Sequence, residues 1–210
     1  VTQGRFITIE GGEGAGKTTL IGLLAQRCEA QGREVVTTRE PGGIPIAEAI
    51  RAVILDKANT AMDARTEALL YAAARRQHLA EKVMPAIARG AVVICDRFVD
   101  SSLAYQGHAR GLGFDEVWEI NRFATEGCMP DLTLYLDIAP EAGLARIHAD
   151  ADREVNRLDL EGLAFHRRVR EGFRQAAERF PERIVTLDAS ASPDRIADAA
   201  WAQVEARLSH

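Results

Sequence analysis

At 210 residues the chain is long enough for one domain with a core of ordinary size. A composition of 47% hydrophobic and 27% charged residues excludes a disordered or collagen-like chain. With 26 basic against 31 acidic residues the net charge is −5, which speaks against a protein that coats nucleic acid.

The first apolar run, Phe6–Ile9, is short and β-branched and runs into a glycine cluster, so it predicts a buried strand ending in a tight turn. From Lys17 to about Gln31, Leu20, Leu23, Leu24 and Ala25 fall at helical spacing and Gly32 supplies the stop. Glu34–Thr38 predicts a second strand, and the turn-rich Arg39–Gly43 leads into a helix over Ile46–Leu55. The Ala- and Leu-rich stretch Asp63–Arg89 predicts one long helix, kinked or interrupted at Pro85. Ala91–Cys95 and Leu132–Leu136 predict further buried strands, each followed by an aspartate, and Ile184–Leu187 a weaker fifth. Helices are predicted over Val99–Gln106, Asp115–Thr125, Pro140–Ala149, Leu160–Phe180 and Pro193–Leu208, and Asp150–Asp159 as a mobile polar excursion. Strands alternating with helices predict an α/β fold, a five-stranded parallel sheet with helices on both faces, as a single domain over residues 1–210.

Cys28, Cys95 and Cys128 are widely spaced with no C-x-x-C pair and are expected as reduced thiols. No apolar run approaches the ~18 residues of a membrane span, and Arg5, Glu10, Glu13 and Lys17 leave no signal-peptide core. A soluble cytoplasmic protein is expected, without a membrane or nucleic-acid partner.

Gly11-Gly12-Glu13-Gly14-Ala15-Gly16-Lys17-Thr18 fits G-x-x-x-x-G-K-[ST] in full, after a predicted strand and before a predicted helix. Glycines at those positions let the backbone turn with its N–H groups aimed at a phosphate chain, and the helix adds its positive end. Lys17 can reach the outer phosphates and the Thr18 hydroxyl suits a Mg²⁺ ligand. Lys17 is also one of only three lysines in the chain. Nucleoside-triphosphate binding follows. Asp96, at the end of a buried strand, falls at the carboxyl edge where open α/β sheets bind ligands, and can hold Mg²⁺. Its neighbour Arg97 can clamp an acceptor phosphate through two parallel hydrogen bonds.

A nucleotide switch shares this loop, but the chain has no N-K-x-D string, and its one D-x-x-G match, Asp159–Gly162, follows no strand. A small-molecule kinase fits better. The strings FITIEGGEGAGKTT (Phe6–Thr19), TREPGG (Thr38–Gly43), LLYAAAR (Leu69–Arg75), Asp96-Arg97-Phe98, SSLAYQG (Ser101–Gly107) and PDLTLYLD (Pro130–Asp137) together resemble bacterial thymidylate kinase over nearly the whole chain. The resemblance implies a P-loop kinase fold and Mg²⁺-dependent transfer of the ATP γ-phosphoryl group to dTMP, giving dTDP and ADP, by a homodimer. A kinase for another nucleoside monophosphate is the alternative.

The same resemblance implies the site residues. The loop Gly11–Thr18 and Thr19 bind ATP; Tyr71 stacks on the base; Arg75 donates to the thymine O4; Ser101, Ser102 and Gln106 line the base pocket with Tyr105 beside the sugar. Arg39 and Arg97 clamp the dTMP phosphate, and Glu13 serves either the sugar hydroxyl or the Mg²⁺ shell. Some relatives carry an arginine inside the phosphate loop where this chain has Gly14. The charge is then expected from a lid at about residues 150–159, with Arg153 as the catalytic finger, Arg157 second and Arg146 preceding the lid. The five histidines show no metal-ligand pairing and are expected to be surface or structural groups.

Overall fold

In the computed structural model, which describes residues 3–149 and 157–209, five strands form one sheet. They are β1 (Arg5–Gly11), β2 (Val35–Arg39), β3 (Val92–Asp96), β4 (Leu132–Asp137) and β5 (Ile184–Asp188), in the order β2-β3-β1-β4-β5, every pairing parallel. The chain leaves central β1 for the β2 edge, returns through β3 beside β1, then crosses to β4 and β5. That reversal opens a crevice beyond the carboxyl ends of the middle strands, the usual ligand position in such sheets.

One face of the sheet is covered by α1 (Lys17–Ala30) and α9 (Pro193–Leu208), where Ile7 and Ile9 meet Leu20, Leu24, Ala197 and Val204. On the other face lie α3 (Ala64–His78), α4 (Met84–Ala88), α5 (Val99–Ser102), α6 (Phe114–Thr125) and α8 (Leu163–Arg179). There Phe6 and Val93 pack against Leu79 and Leu103, and Tyr135 stacks on Phe173. Burying a side chain of this size is worth ~1.5–3 kcal/mol. α2 (Pro45–Leu55), α7 (Pro140–His148) and a 3-10 turn (Arg157–Leu160) complete the described elements.

The long predicted helix is interrupted earlier than Pro85. Its turn widens over Leu79–Val83, where the Met84 N–H reaches back to the Leu79 carbonyl. Pro85 has no N–H to give, and its ring crowds the carbonyl four residues back, so the register loosens in the turn before it. A second wide turn, Leu103–Ala109, carries the helix begun by α5 beyond the predicted Gln106. It is clamped against α8 at Gly172, where a Cβ would meet the Ala104 Cα at 2.7 Å. The predicted helix from Leu160 starts only at Leu163, and the end of the expected mobile excursion is packed: Arg157 and Leu158 are buried. Strands also run one or two residues past their apolar runs, taking in Glu10, Asp96 and Asp137, because ladder hydrogen bonds are indifferent to side-chain polarity.

Candidate active site

The phosphate loop joins β1 to α1, which begins at Lys17 directly after Gly16 (φ 92°). The Lys17 ammonium folds back over the loop, 3.4 Å from the Gly11 carbonyl and 3.2 Å from that of Gly12. Burial, then the charge of Arg97, pushes its pKa down from the usual lysine value. Gly14 has φ 68°, and a Cβ there would collide with the Gly143 carbonyl of α7. The fold therefore has no room for a side chain at this loop position. Arg146 of α7 instead touches the loop from outside, donating to the Gly14 carbonyl at 3.3 Å and to that of Ala189 at 3.2 Å.

A cavity of about 790 Å³ runs from the loop residues Glu13–Thr19 to Tyr71, Arg75, Ser102 and Gln106. That is ample for small-molecule ligands of nucleotide size. Between its ends lie Arg39, Asp96 and Arg97. Arg97 sits in the left-handed backbone region at φ 69°, a conformation that costs ~1–3 kcal/mol for a non-glycine residue. Its guanidinium is held by the Gly11 carbonyl at 2.9 Å, Glu13 at 2.8 Å and Ser101 Oγ at 3.3 Å, over the Tyr105 ring. Tyr105 donates to the same Glu13 oxygen at 3.1 Å, so Arg97, Glu13 and Tyr105 form one cluster. Asp96 Oδ1 is buried and has no hydrogen-bond partner, an orphaned acceptor of the kind a cation would satisfy. With the Thr18 hydroxyl on the same cavity, the donor set is all oxygen and suits Mg²⁺. Among the described residues no group of three His, Cys, Asp or Glu side chains is placed to cage a metal ion.

The far end is organised by α3, on which Glu67, Tyr71 and Arg75 recur every four residues along one face. Arg75 is only 2% exposed, and two of its three guanidinium nitrogens are held: Glu40 accepts from Nε at 2.7 Å, Ser102 Oγ from Nη1 at 3.1 Å, and Asn121 from Nη1 in a short contact. Glu40 also meets His78 Nδ1 at 2.9 Å, and His78 Nε2 meets Thr38 Oγ1 at 2.8 Å. The Gln106 amide donates to Glu67 at 2.8 Å. Burial, then the Glu67 charge, pushes the Tyr71 phenol up and keeps it protonated. Glu10, fully buried, accepts from the Phe98 N–H at 2.6 Å and from the Ser101 hydroxyl, holding the turn that carries Arg97. Burial, then the nearby Asp100, raises its pKa. Asp100 is itself locked by Arg183 at 2.7 and 2.8 Å.

A family model described as thymidylate kinase matches residues 9–200. The chain belongs to the thymidylate kinase family. It is 61% identical over 206 residues to a thymidylate kinase of Bacillus cytotoxicus, covering 98% of this chain and 99% of that one. It is 62% identical to one of Geobacillus thermodenitrificans, with 98% and 92% covered, and 57% identical over the full length of both chains to one of Halalkalibacterium halodurans.

For a thymidylate kinase, most of the residues named from sequence fall on one cavity, while Gly11 and Gly12 at the start of the loop do not line it. Glu13–Thr19, Arg39, Tyr71, Arg75, Asp96, Arg97, Ser101, Ser102, Tyr105 and Gln106 all line it. Arg39 does so from a half-exposed position, paired with Glu48 at 2.7 Å. Arg153 lies outside the described residues. Arg157, the second finger candidate, is turned away: it is buried, donates to the Ile54 carbonyl at 2.9 Å and pairs with Glu67. Sequence reasoning missed Glu10, Glu40, Glu67 and Asn121. Glu10 carried one available signal, a carboxylate in the middle of an otherwise buried strand; the other three sit on segments whose burial only the tertiary fold reveals.

Proposed function

We infer that this chain transfers the γ-phosphoryl group of ATP to dTMP, giving dTDP and ADP, as the thymidylate kinases it resembles are named for doing. The observation that carries the reading is one continuous cavity with a phosphate loop at one end and Tyr71, Arg75 and Gln106 at the other. A phosphate oxygen of the acceptor bonds to the γ-phosphorus as the bond to the ADP oxygen breaks. That oxygen is already anionic near neutral pH, so no general base is needed. Catalysis then comes from alignment and charge.

In this reading the loop N–H groups and Lys17 hold the ATP phosphates. Arg97, with Arg39 at the rim, holds the acceptor phosphate between the two ends. Arg75 and Gln106 read the base and Tyr71 stacks on it, with Ser101, Ser102 and Tyr105 completing the pocket. Because the Gln106 NH₂ is committed to Glu67, the atom it can offer a base is its carbonyl, complementary to a ring N–H such as thymine N3–H. Arg153 supplies finger charge, since Gly14 leaves no room for a loop arginine. Thr18 and Asp96 would hold Mg²⁺, which when bound neutralises charge building on the phosphate oxygens. Glu13, tied to Arg97 and Tyr105, keeps the phosphate clamp oriented.

The test is direct: phosphorus NMR of the protein with ATP, Mg²⁺ and dTMP should show dTDP and ADP forming in equal amounts. Omitting dTMP should leave ATP intact, because a closed kinase site excludes water as acceptor. ADP accumulating at the same rate without dTMP contradicts the reading.

We also propose that the protein is a homodimer. Phe123 on α6 is 88% exposed and Leu69, on the neighbouring α3, is 56% exposed, the kind of apolar surface that self-association covers. Sedimentation should give twice the chain mass for the native protein and the single mass for Phe123→Glu; a monomeric native protein ends the proposal. Among the described residues no helix is long and apolar enough to cross a membrane.

A further inference from the structure

Glu67 is 1% exposed and absent from the cavity wall, yet Gln106, Arg110 and Arg157 all converge on its carboxylate. Its Oε1 accepts from Gln106 Nε2 at 2.8 Å, and its Oε2 takes a short hydrogen bond from Arg157. Arg110 approaches both oxygens at 3.4 Å and pairs with Glu161 at 2.6 Å. Arg157 reaches on to the carbonyl of Ile54 at the end of α2, where exposed helix carbonyls favour a cation. One unbroken polar chain thus runs from α2 through Arg157 and Glu67 to Gln106.

We propose that Glu67 is a positioning residue for the acceptor pocket, fixing which face of the Gln106 amide meets the base and itself fixed by Arg157, so that acceptor affinity depends on the 157–160 turn. The proposal rests on the reading of the cavity as a nucleoside-monophosphate site. A side-chain amide has nearly the same shape either way round and only its neighbours decide which end faces a ligand. A carboxylate accepts and never donates when ionised, so beside Glu67 the Gln106 NH₂ must turn inward and the carbonyl toward the cavity. Without that constraint the amide can rotate and offer a base a donor where it should offer an acceptor. Burial alone would raise the Glu67 pKa, but the hydrogen bonds from Gln106 and Arg157 and the charge of Arg110 outweigh it and hold it below the usual value. The carboxylate therefore stays ionised across the neutral range, as the orientation requires. Arg157 is the informative partner: it does not itself line the cavity, although its neighbour Leu158 does, and its hydrogen-bonded connection to Gln106 runs through Glu67.

The test is a double-mutant cycle on dTMP binding, read by calorimetry and by KM. Arg157→Met should raise the Kd and KM for dTMP about tenfold while changing those for ATP less than twofold. Gln106→Ala should do the same, and the double variant should be no worse than Gln106→Ala alone. Glu67→Gln, which keeps the shape and removes the charge, is expected to match Arg157→Met and provides the readout should that variant fold poorly. A lowered melting temperature with unchanged dTMP affinity in both Arg157→Met and Glu67→Gln would reduce the chain to a structural brace and overturn the proposal. Losses that multiply in the double variant would overturn it too. If the native protein uses another monophosphate, the function reading has failed instead, and the same cycle run with that acceptor still decides the coupling.

Discussion

At the donor end of the cavity, most of what faces a ligand is main chain. The loop's shape comes from glycines and its charge largely from a helix start, to which Lys17 and Thr18 add side chains. The acceptor end is the opposite. Tyr71 and Arg75 come from α3, Arg97 from the turn after β3, and Ser102 and Gln106 from the helix that follows, and each of the charged or amide groups is tied to a carboxylate: Arg75 to Glu40, Gln106 to Glu67, Arg97 to Glu13. A main-chain site needs a contiguous string and leaves one in the sequence. A side-chain site needs a scaffold of buried acids to hold its donors still, and those acids can stand anywhere the fold brings close.

The contrast can be broken or sharpened by substitution. The largest effect is expected at Lys17, the phosphate loop's one cationic side chain: Lys17→Met should lower kcat by on the order of 10²–10³, with an unchanged circular dichroism spectrum. Loss of fold rather than rate would mean the ammonium is a structural plug on the Gly11 and Gly12 carbonyls. Next comes Arg75→Ala, which should raise the KM for dTMP by ~10–100-fold and leave that for ATP within twofold. It should also cost ~3 kcal/mol of stability, because Glu40 is left buried with only His78. Equal losses for both substrates would make α3 a structural element and erase the difference between the ends.

Gly14→Ala probes the main-chain side. A left-handed backbone and the Gly143 carbonyl both oppose a Cβ, so the loop must shift at a cost of ~1–3 kcal/mol. The KM for ATP should rise about tenfold while the dTMP Kd stays put. Smallest is a control at neither end. Asp137 accepts from Arg170 at 2.7 Å and Arg174 at 2.9 Å and from Tyr135 at 2.9 Å; burial opposes ionisation, but these donors hold its pKa below the usual value. Its folded pKa lies below the unfolded one, so the stability it adds is fully present above about pH 4 and is lost as pH falls through the folded value. With the arginines partly exposed, Asp137→Asn should cost about 1 kcal/mol at pH 7, a fall of ~2–4 °C in Tm. The gap from native should close at acid pH, and both substrate affinities should be unmoved. A gap that persists undiminished into acid would mean packing, not charge, is at stake.

Much of the fold was legible because it rests on local patterns: each predicted strand is found, and the parallel sheet follows from their alternation with helices. The departures have local physical causes that a hydrophobicity pattern does not carry. Pro85 exerts its effect in the turn before it, and the wide turn at Leu103–Ala109 depends on Gly172 of a distant helix. In the site, the phosphate loop announced itself by spacing, while Tyr71 and Arg75 had no signal of their own beyond their resemblance to one family. Glu40 stood inside the quoted string TREPGG but with nothing to say what it held, and Glu67 had no signal at all; only the tertiary fold puts each against an arginine.

The most direct measurement is ADP release from ATP and Mg²⁺ with dTMP, dUMP, dCMP, dGMP, AMP and no acceptor in parallel. Strong turnover with dTMP, less with dUMP, which differs only by the ring methyl, and silence with the rest is the expected result. Turnover confined to another monophosphate would contradict the base-reading roles while keeping the kinase, and hydrolysis indifferent to the acceptor would contradict phosphoryl transfer to any monophosphate and leave only the donor end standing.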